Sequence, residues 1–315
     1  MKRRAFLQMA PAFTALPAVS TLHAQPSATA PAPGPTPAPA KAAVLLKTVP
    51  SSGEQIPAVG LGTWITFNVG NDSAARDQCA QVLRAFFAAG GRLVDSSPMY
   101  GSSQGVIGEG LRKLGMPGSL ISAEKVWTSS DGPAQIRQSQ ALWQVPRFDL
   151  LQVHNLLAWQ EHLPMLQAMK AARQLRYVGI TTSEGRRHAD FEAIMRGHKL
   201  DFIQLTYNPL DREVEQKLLP LAQERRIAVL VNRPFREGQL LRKLQAHPLP
   251  AWAADIGCTS WAQLVIKFIV SHPAVTCVIP ATRQVAHVRE NLAAASGAMP
   301  DEAFRKRIAD HIGKL

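Results

Sequence analysis

Cysteine is scarce in this chain. Three residues, Cys79, Cys258 and Cys277, occur in 315, with no CxxC pair and no His/Cys cluster at metal-ligand spacing. A disulfide framework and a structural metal site therefore find no support, and no metal is expected. Cys79 falls in a helix-like stretch, Cys258 just before one and Cys277 in a strand-like run, so all three are expected as buried free thiols, as suits folding in a reducing compartment. Charge is sparse as well: 18% of residues are charged against 46% hydrophobic, which excludes a disordered polyelectrolyte and supplies a large core. The phosphate-cradling GxGxxG fingerprint is missing. After the first strand candidate there is only Gly60-Leu61-Gly62, and Gly108-Glu109-Gly110 sits inside a helical pattern, which argues against an open dinucleotide-binding sheet.

Acids are the scarcer charge, 23 against 35 Lys and Arg, giving a formal net charge of +12. The basic residues, Arg173, Arg176, Arg186, Arg187, Arg225 and Arg226 among them, are scattered over several expected elements without a basic run interleaved with aromatics. This pattern describes a positive solvated surface and no nucleic-acid site. The N-terminal apolar run is short, interrupted by Pro11 and Pro17 and followed by no stop-transfer pattern, so no stable membrane span is expected. Residues 1–24 instead have a basic start, an apolar stretch and a cleavage-like Leu22-His23-Ala24, the three parts of a removable export signal. Arg3-Arg4 ahead of Phe6-Leu7 resembles the twin-arginine signal, which implies the twin-arginine machinery as a partner and a periplasmic or otherwise exported location. Residues 25–42 alternate Pro and Ala and read as an extended tether. Cleavage after Ala24 removes Lys2, Arg3 and Arg4 and no acid, taking the charge from +12 to +9.

Residues 43–315 alternate short apolar runs with amphipathic stretches. Strands are expected at 58–64, 92–95, 120–126, 148–154, 177–181, 202–207, 227–231 and 275–280, each followed by a helical pattern. Such strands pair in parallel with both faces covered, and eight units within roughly 250 residues predict a (β/α)8 TIM barrel of the α/β class.

In such barrels the loops at the carboxyl ends of the strands build the active site. Asp95 and Tyr100 follow the second expected strand, Lys125 lies in the third and His154 ends the fourth, so the four should meet at one mouth. Their chemistry is coherent. A phenol is a poor donor at neutral pH unless a nearby cation favours its ionised form; Lys125 is that cation, Asp95 its anchor, and His154 a donor to a carbonyl oxygen. Singly, each has a plainer role as a cap, loop aromatic, strand-end charge or core histidine; their joint placement makes a general acid beside an oxyanion site. A barrel hydrolase using Asp95 and Glu124 is disfavoured, because neighbouring basic residues oppose a protonated carboxylic acid.

Several segments carry a resemblance. Gly60-Leu61-Gly62-Thr63-Trp64, VDSSPMYG at 94–101 followed by GVIGEGLRKLG, Lys125 in SAEKVW, His154 in LLQVHN, then VGITTS, IQLTYNP and VIPATRQVAHVREN stand in the order of the aldo-keto reductases, and the likeness runs over residues 43–298. It implies Tyr100 as proton donor, Lys125 and Asp95 tuning it, His154 orienting a small-molecule carbonyl substrate, and hydride from a nicotinamide. It also implies cofactor contacts. Thr181 and Thr182 stand where the family has Ser-Asn, Gln204 matches its glutamine, and Asn232 replaces a stacking tyrosine. After the eighth strand Ala281-Thr282 replaces Lys-Ser, with Arg283 next, while Glu290-Asn291 match the adenine-side pair. Arg283 suits a 2'-phosphate, so NADP(H) is expected before NAD(H). Trp64, Met99, Trp127 and Phe235 are expected to line an apolar substrate pocket. The chain ends soon after FRKRIADHIGKL, so an open site is expected, in a monomer. The alternative is an exported cofactor-binding redox sensor or interaction module with little turnover, similar to the potassium-channel beta subunits of this superfamily.

Overall fold

The computed structural model describes residues 44–315 together with Ala12. Ala12 aside, the expected signal and tether lie outside the described residues. The described residues from 44 onward open with a hairpin of β1 (Leu46–Thr48) and β2 (Gln55–Pro57), paired antiparallel. Eight parallel strands follow, each hydrogen-bonded to the next: β3 (Leu61–Gly62), β4 (Leu93–Asp95), β5 (Ile121–Val126), β6 (Leu150–Val153), β7 (Tyr177–Thr181), β8 (Phe202–Thr206), β9 (Ala228–Asn232) and β10 (Cys277–Val278). Bridges Val59 to Val278 and Gly62 to Ala281 join the first strand to the last and close the cylinder. The fold is the expected TIM barrel.

Helices fill the crossovers: α1 (Ser73–Ala88), α2 (Ser103–Lys113), α3 (Gly132–Trp143), α4 (Trp159–Ala171), α5 (His188–Gly197) and α6 (Leu218–Glu224) each follow one strand. After β9 come α7 (Gln239–Leu244) and α8 (Trp261–Val270), and after β10 come α9 (Val285–Ala293) and α10 (Glu302–Ile312). Local chemistry sets several starts. Asp72, Asp131, Ser260 and Asp301 each accept a backbone N–H of the first turn.

The outer core lies between strands and helices, whereas a second cluster fills the barrel interior with Leu93, Ile121, Ala123, Leu150, Phe202, Leu230 and Cys277. Because side chains alternate along a strand, the interior is layered. Ile121, Ala123 and Lys125 run up one strand, Leu150, Gln152 and His154 up the next, and Phe202, Gln204 and Thr206 up a third. Apolar residues occupy the amino end and polar ones the carboxyl end. The hairpin packs Val49 and Ile56 into the lower cluster. At its turn, Glu54 accepts hydrogen bonds from the Tyr177 hydroxyl at 2.6 Å, Arg92 at 3.4 Å and Arg176.

Glycine is required where β3 meets β10. A Cβ on Gly62 would stand 2.6 Å from the carbonyl oxygen of Ile279, so no larger residue fits the seam as built. All three cysteines are buried and unpaired. Among the described residues no helix is long and apolar enough to cross a membrane.

Candidate active site

The segment after β4 places the reacting groups. Asp95 ends the strand, and Ser96 continues its ladder through a backbone bond to Ala123. Ser97 to Tyr100 then forms a turn closed by the Tyr100 N–H on the Ser97 carbonyl at 3.0 Å, with Pro98 at the position where its fixed φ is favourable. Gly101 follows in the left-handed region at φ +58, where a Cβ would strike Asn68. Asn68 in turn accepts the N–H and hydroxyl of Ser102, just ahead of α2.

Lys125 is fully buried, and its Nζ donates to Asp95 Oδ1 at 2.6 Å and to the Ser96 carbonyl at 2.7 Å. Asp95 Oδ2 accepts from Gln204 at 2.9 Å and from Gln152 at 3.4 Å, and Thr63 donates to the Asp95 carbonyl. The ammonium lies 5.2 Å from the Tyr100 ring centroid, and Tyr100 packs on Trp64 at 4.9 Å and edge-on to His154 at 5.8 Å. Burial works against the Lys125 charge, but Asp95, Tyr100 and Glu124 more than offset it, and its pKa is held above the usual lysine value.

Two electrostatic results shape the chemistry. Burial pushes the Tyr100 phenol up to about 12, although Lys125 pulls it down, so the expectation that the cation would lower it is corrected. The physical reason is depth: losing water costs the phenolate more than one neighbouring ammonium returns. Burial, with Lys125 and Arg186 adding to it, pushes His154 down to about 2, so the ring is a neutral imidazole. Glu124 points to the opposite face of β5, where Gln104 and Trp143 donate to it. Burial there raises its pKa to about 7, and it takes no part in the mouth.

Above these residues opens a cavity of about 800 Å³. Asp95, Tyr100 and His154 line it, as do Thr181, Gln204, Asn232, Thr282, Glu290 and Asn291 and the apolar Trp64, Met99 and Phe235. Lys125 lies beneath, behind Asp95 and Tyr100. Three expected residues stand elsewhere. Trp127 is 40% exposed and outside the lining, because β5 ends at Val126 and Gln135 holds both the N–H and the carbonyl of Trp127. Thr182 is also outside the lining, its carbonyl accepting from Asn232 at 2.9 Å. Arg283 is exposed beside the lining residue Thr282.

Asn232 does not offer a ring to stack on. Its carbonyl oxygen accepts from Thr206 at 2.6 Å, and its amide reaches Thr182 and Gln204. Beyond Phe235, the segment after β9 supplies a wall that includes Glu237, Leu241, His247 and Leu249, which sequence reasoning missed. Trp64 donates to Glu237 across the cavity at 3.2 Å. Sequence reasoning also missed Ser97 and Gln152. Period-two alternation from His154 back to Gln152 is the signal that marks the second of these. Among the described residues no group of three or more His, Cys, Asp or Glu side chains is placed to hold a metal.

Comparison with known proteins gives the family and the fold. The Aldo/keto reductase family matches residues 58–311. The chain is 27% identical over 277 residues to methylglyoxal reductase YeaE of Escherichia coli (strain K12), covering 82% of this chain and 95% of that protein. It is 25% identical over 224 residues to the NADH-specific methylglyoxal reductase of the same organism, covering 62% of this chain and 68% of that protein. A solved aldo-keto reductase from Klebsiella pneumoniae in complex with NADPH shares the fold, with a TM-score of 0.71 at 22% identity over 85% of this chain and 95% of that one.

Proposed function

The chain belongs to the aldo/keto reductase family, and from that membership and the geometry of the mouth we propose that it reduces the carbonyl of a small aldehyde or ketone to an alcohol, with Tyr100 as proton donor. The convergence of Asp95, Tyr100 and His154 on one cavity, with Lys125 buried behind them and paired to Asp95, carries this reading.

The residues of the cavity suit a nicotinamide dinucleotide. Asn291 Oδ1 is buried in its wall without a partner, an acceptor that an amino group of a nucleotide base satisfies. Gln204 and Asn232 would hold the nicotinamide end, and Thr282, Glu290 and Asn291 the adenosine end. When bound, the cofactor supplies the hydride. NADP(H) is placed before NAD(H) on the strength of Arg283.

The protein does the rest. Neutral His154 donates a hydrogen bond to the carbonyl oxygen and polarises it. Tyr100, protonated at neutral pH, gives its proton to that oxygen as negative charge builds there. The phenolate left behind faces Lys125, whose charge Asp95 keeps in place. Trp64, Met99 and Phe235 give the substrate an apolar wall. Export through the twin-arginine route, supported by Arg3-Arg4, is part of the same proposal.

The purified chain is expected to oxidise NADPH through many turnovers with methylglyoxal or an aromatic aldehyde. Tyr100→Phe should lower kcat by about a hundredfold or more while keeping cofactor binding. Asn232, engaged with Thr206 and Thr182, favours the second reading, a cofactor-binding sensor. Tight NADPH or NADH binding without turnover in the wild type would select it.

A further inference from the structure

We infer that Ser97 is a positioning residue that sets the tautomer of His154: its hydroxyl donates to Nδ1, which puts the ring hydrogen on Nε2, the nitrogen left toward the cavity. The functional consequence rests on the carbonyl-reduction reading; the tautomer itself does not.

Ser97 is fully buried, and its Oγ lies 2.7 Å from His154 Nδ1. Oγ also accepts the backbone N–H of Met99 at 3.3 Å. Two arrangements satisfy the distance alone. In one, Nδ1–H donates to Oγ. The hydroxyl hydrogen then has no acceptor, because Nδ1 is the only acceptor within its reach among the described residues, and a buried donor is stranded. In the other, Oγ–H donates to Nδ1 and Oγ accepts from Met99, so every group is paired. Folded proteins overwhelmingly adopt the fully paired arrangement.

The neutral ring has one hydrogen to place, and Nδ1 is occupied as an acceptor. Nε2 makes no bond to any described residue and is not among the buried unpaired atoms, so it opens into the cavity that the ring lines. A hydrogen there points toward a carbonyl oxygen, whereas the opposite tautomer would present a lone pair and repel it. The same turn that carries Tyr100, through its N–H on the Ser97 carbonyl, thus also fixes the second donor.

The test reads the ring directly. In the full chain with 15N-labelled histidine, long-range proton–nitrogen correlation identifies which nitrogen of His154 carries hydrogen, with His154→Gln assigning the signal. The wild type is expected as the Nε2–H form, Ser97→Ala as a mixture or the Nδ1–H form, and Ser97→Thr as the wild-type form. In turnover, Ser97→Ala should lower kcat about tenfold, the loss of one hydrogen bond's worth of orientation, with cofactor affinity unchanged and Ser97→Thr restoring the rate. Should Ser97→Ala fail to fold, Ser97→Cys, a weaker donor, is read the same way. An Nδ1–H wild type, or an Nε2–H signal unmoved in the variant, overturns the inference. The expected tautomers in a chain that turns over no carbonyl would uphold it and sink the reductase reading alone.

Discussion

The two rims of the barrel both gather polar groups, and they treat them oppositely. At the amino end, Glu54, Arg92, Arg176, Asp149 and Tyr177 meet under the hairpin, partly exposed to solvent, and satisfy one another. At the carboxyl end, Lys125 and Asp95 are stripped of water and hold each other, while Tyr100 and His154 are left with polar atoms facing an open cavity. Among the described residues, four of the five buried side-chain atoms without partners lie at the mouth: Thr66 Oγ1 and Asn291 Oδ1 on lining residues, and Ser96 Oγ and Gln152 Oε1 on residues beside Asp95. Charge pairing by itself therefore does not mark a site. Pairing that is deep, with neighbours left incomplete beside a cavity, does.

The comparison breaks most sharply at Lys125. Lys125→Met leaves Asp95 buried without its counter-charge, and a cost of about 3–5 kcal/mol in unfolding free energy is expected from urea denaturation. The same change should remove about a hundredfold or more of kcat/KM in NADPH oxidation. Retained activity would show that the mouth's ion pair is only structural. The matching change at the other end, Glu54→Gln, should cost about 1–2 kcal/mol, because water competes for its partners, and should leave kcat/KM unaltered. A change in kcat/KM would mean that the two ends are coupled.

The smallest expected effect is a flat line. With the Tyr100 pKa pushed up to about 12, the phenol keeps its proton throughout the neutral and mildly alkaline range, and the donor form is lost only as pH rises toward that value. With His154 pushed down to about 2, its ring stays neutral until pH falls that far. The pH profile of kcat/KM for reduction should therefore show no limb from either group around neutrality. An alkaline limb there would place Tyr100 in far wetter surroundings than the structure gives it.

How much of this was legible beforehand follows from what each residue had to reveal. The eight barrel strands were readable because both faces of each are buried, which writes continuous apolar runs into the sequence. The β1–β2 hairpin was not, since LKT and QIP carry little apolar signal around Pro50-Ser51-Ser52-Gly53. Helix α7 was missed because six residues between connectors show hardly two turns of periodicity. At the mouth, Asp95 and Lys125 were legible as charges where apolar runs end. Gln152 was hidden by its ordinary appearance within LLQV, and Ser97 by sitting in a turn where serine is common anyway. Trp127 was expected in the pocket, but the strand stops at Val126, and the period-two alternation that carries Lys125 inward stops with it. Sequence also shows a cation near Tyr100 and says nothing of depth, which decides the sign of its shift.

The seam between β3 and β10 has a mechanical consequence. Three backbone hydrogen bonds rivet it, from Gly60 N–H to Val278, from Val278 N–H to Ala58 and from Gly62 N–H to Pro280, and the glycines at 60 and 62 let the two backbones close with no side chain between them. A side chain wedged there, where even a Cβ on Gly62 would stand 2.6 Å from the Ile279 carbonyl oxygen, would force the hoop out of round beside Trp64 and Thr282, both of which line the cavity.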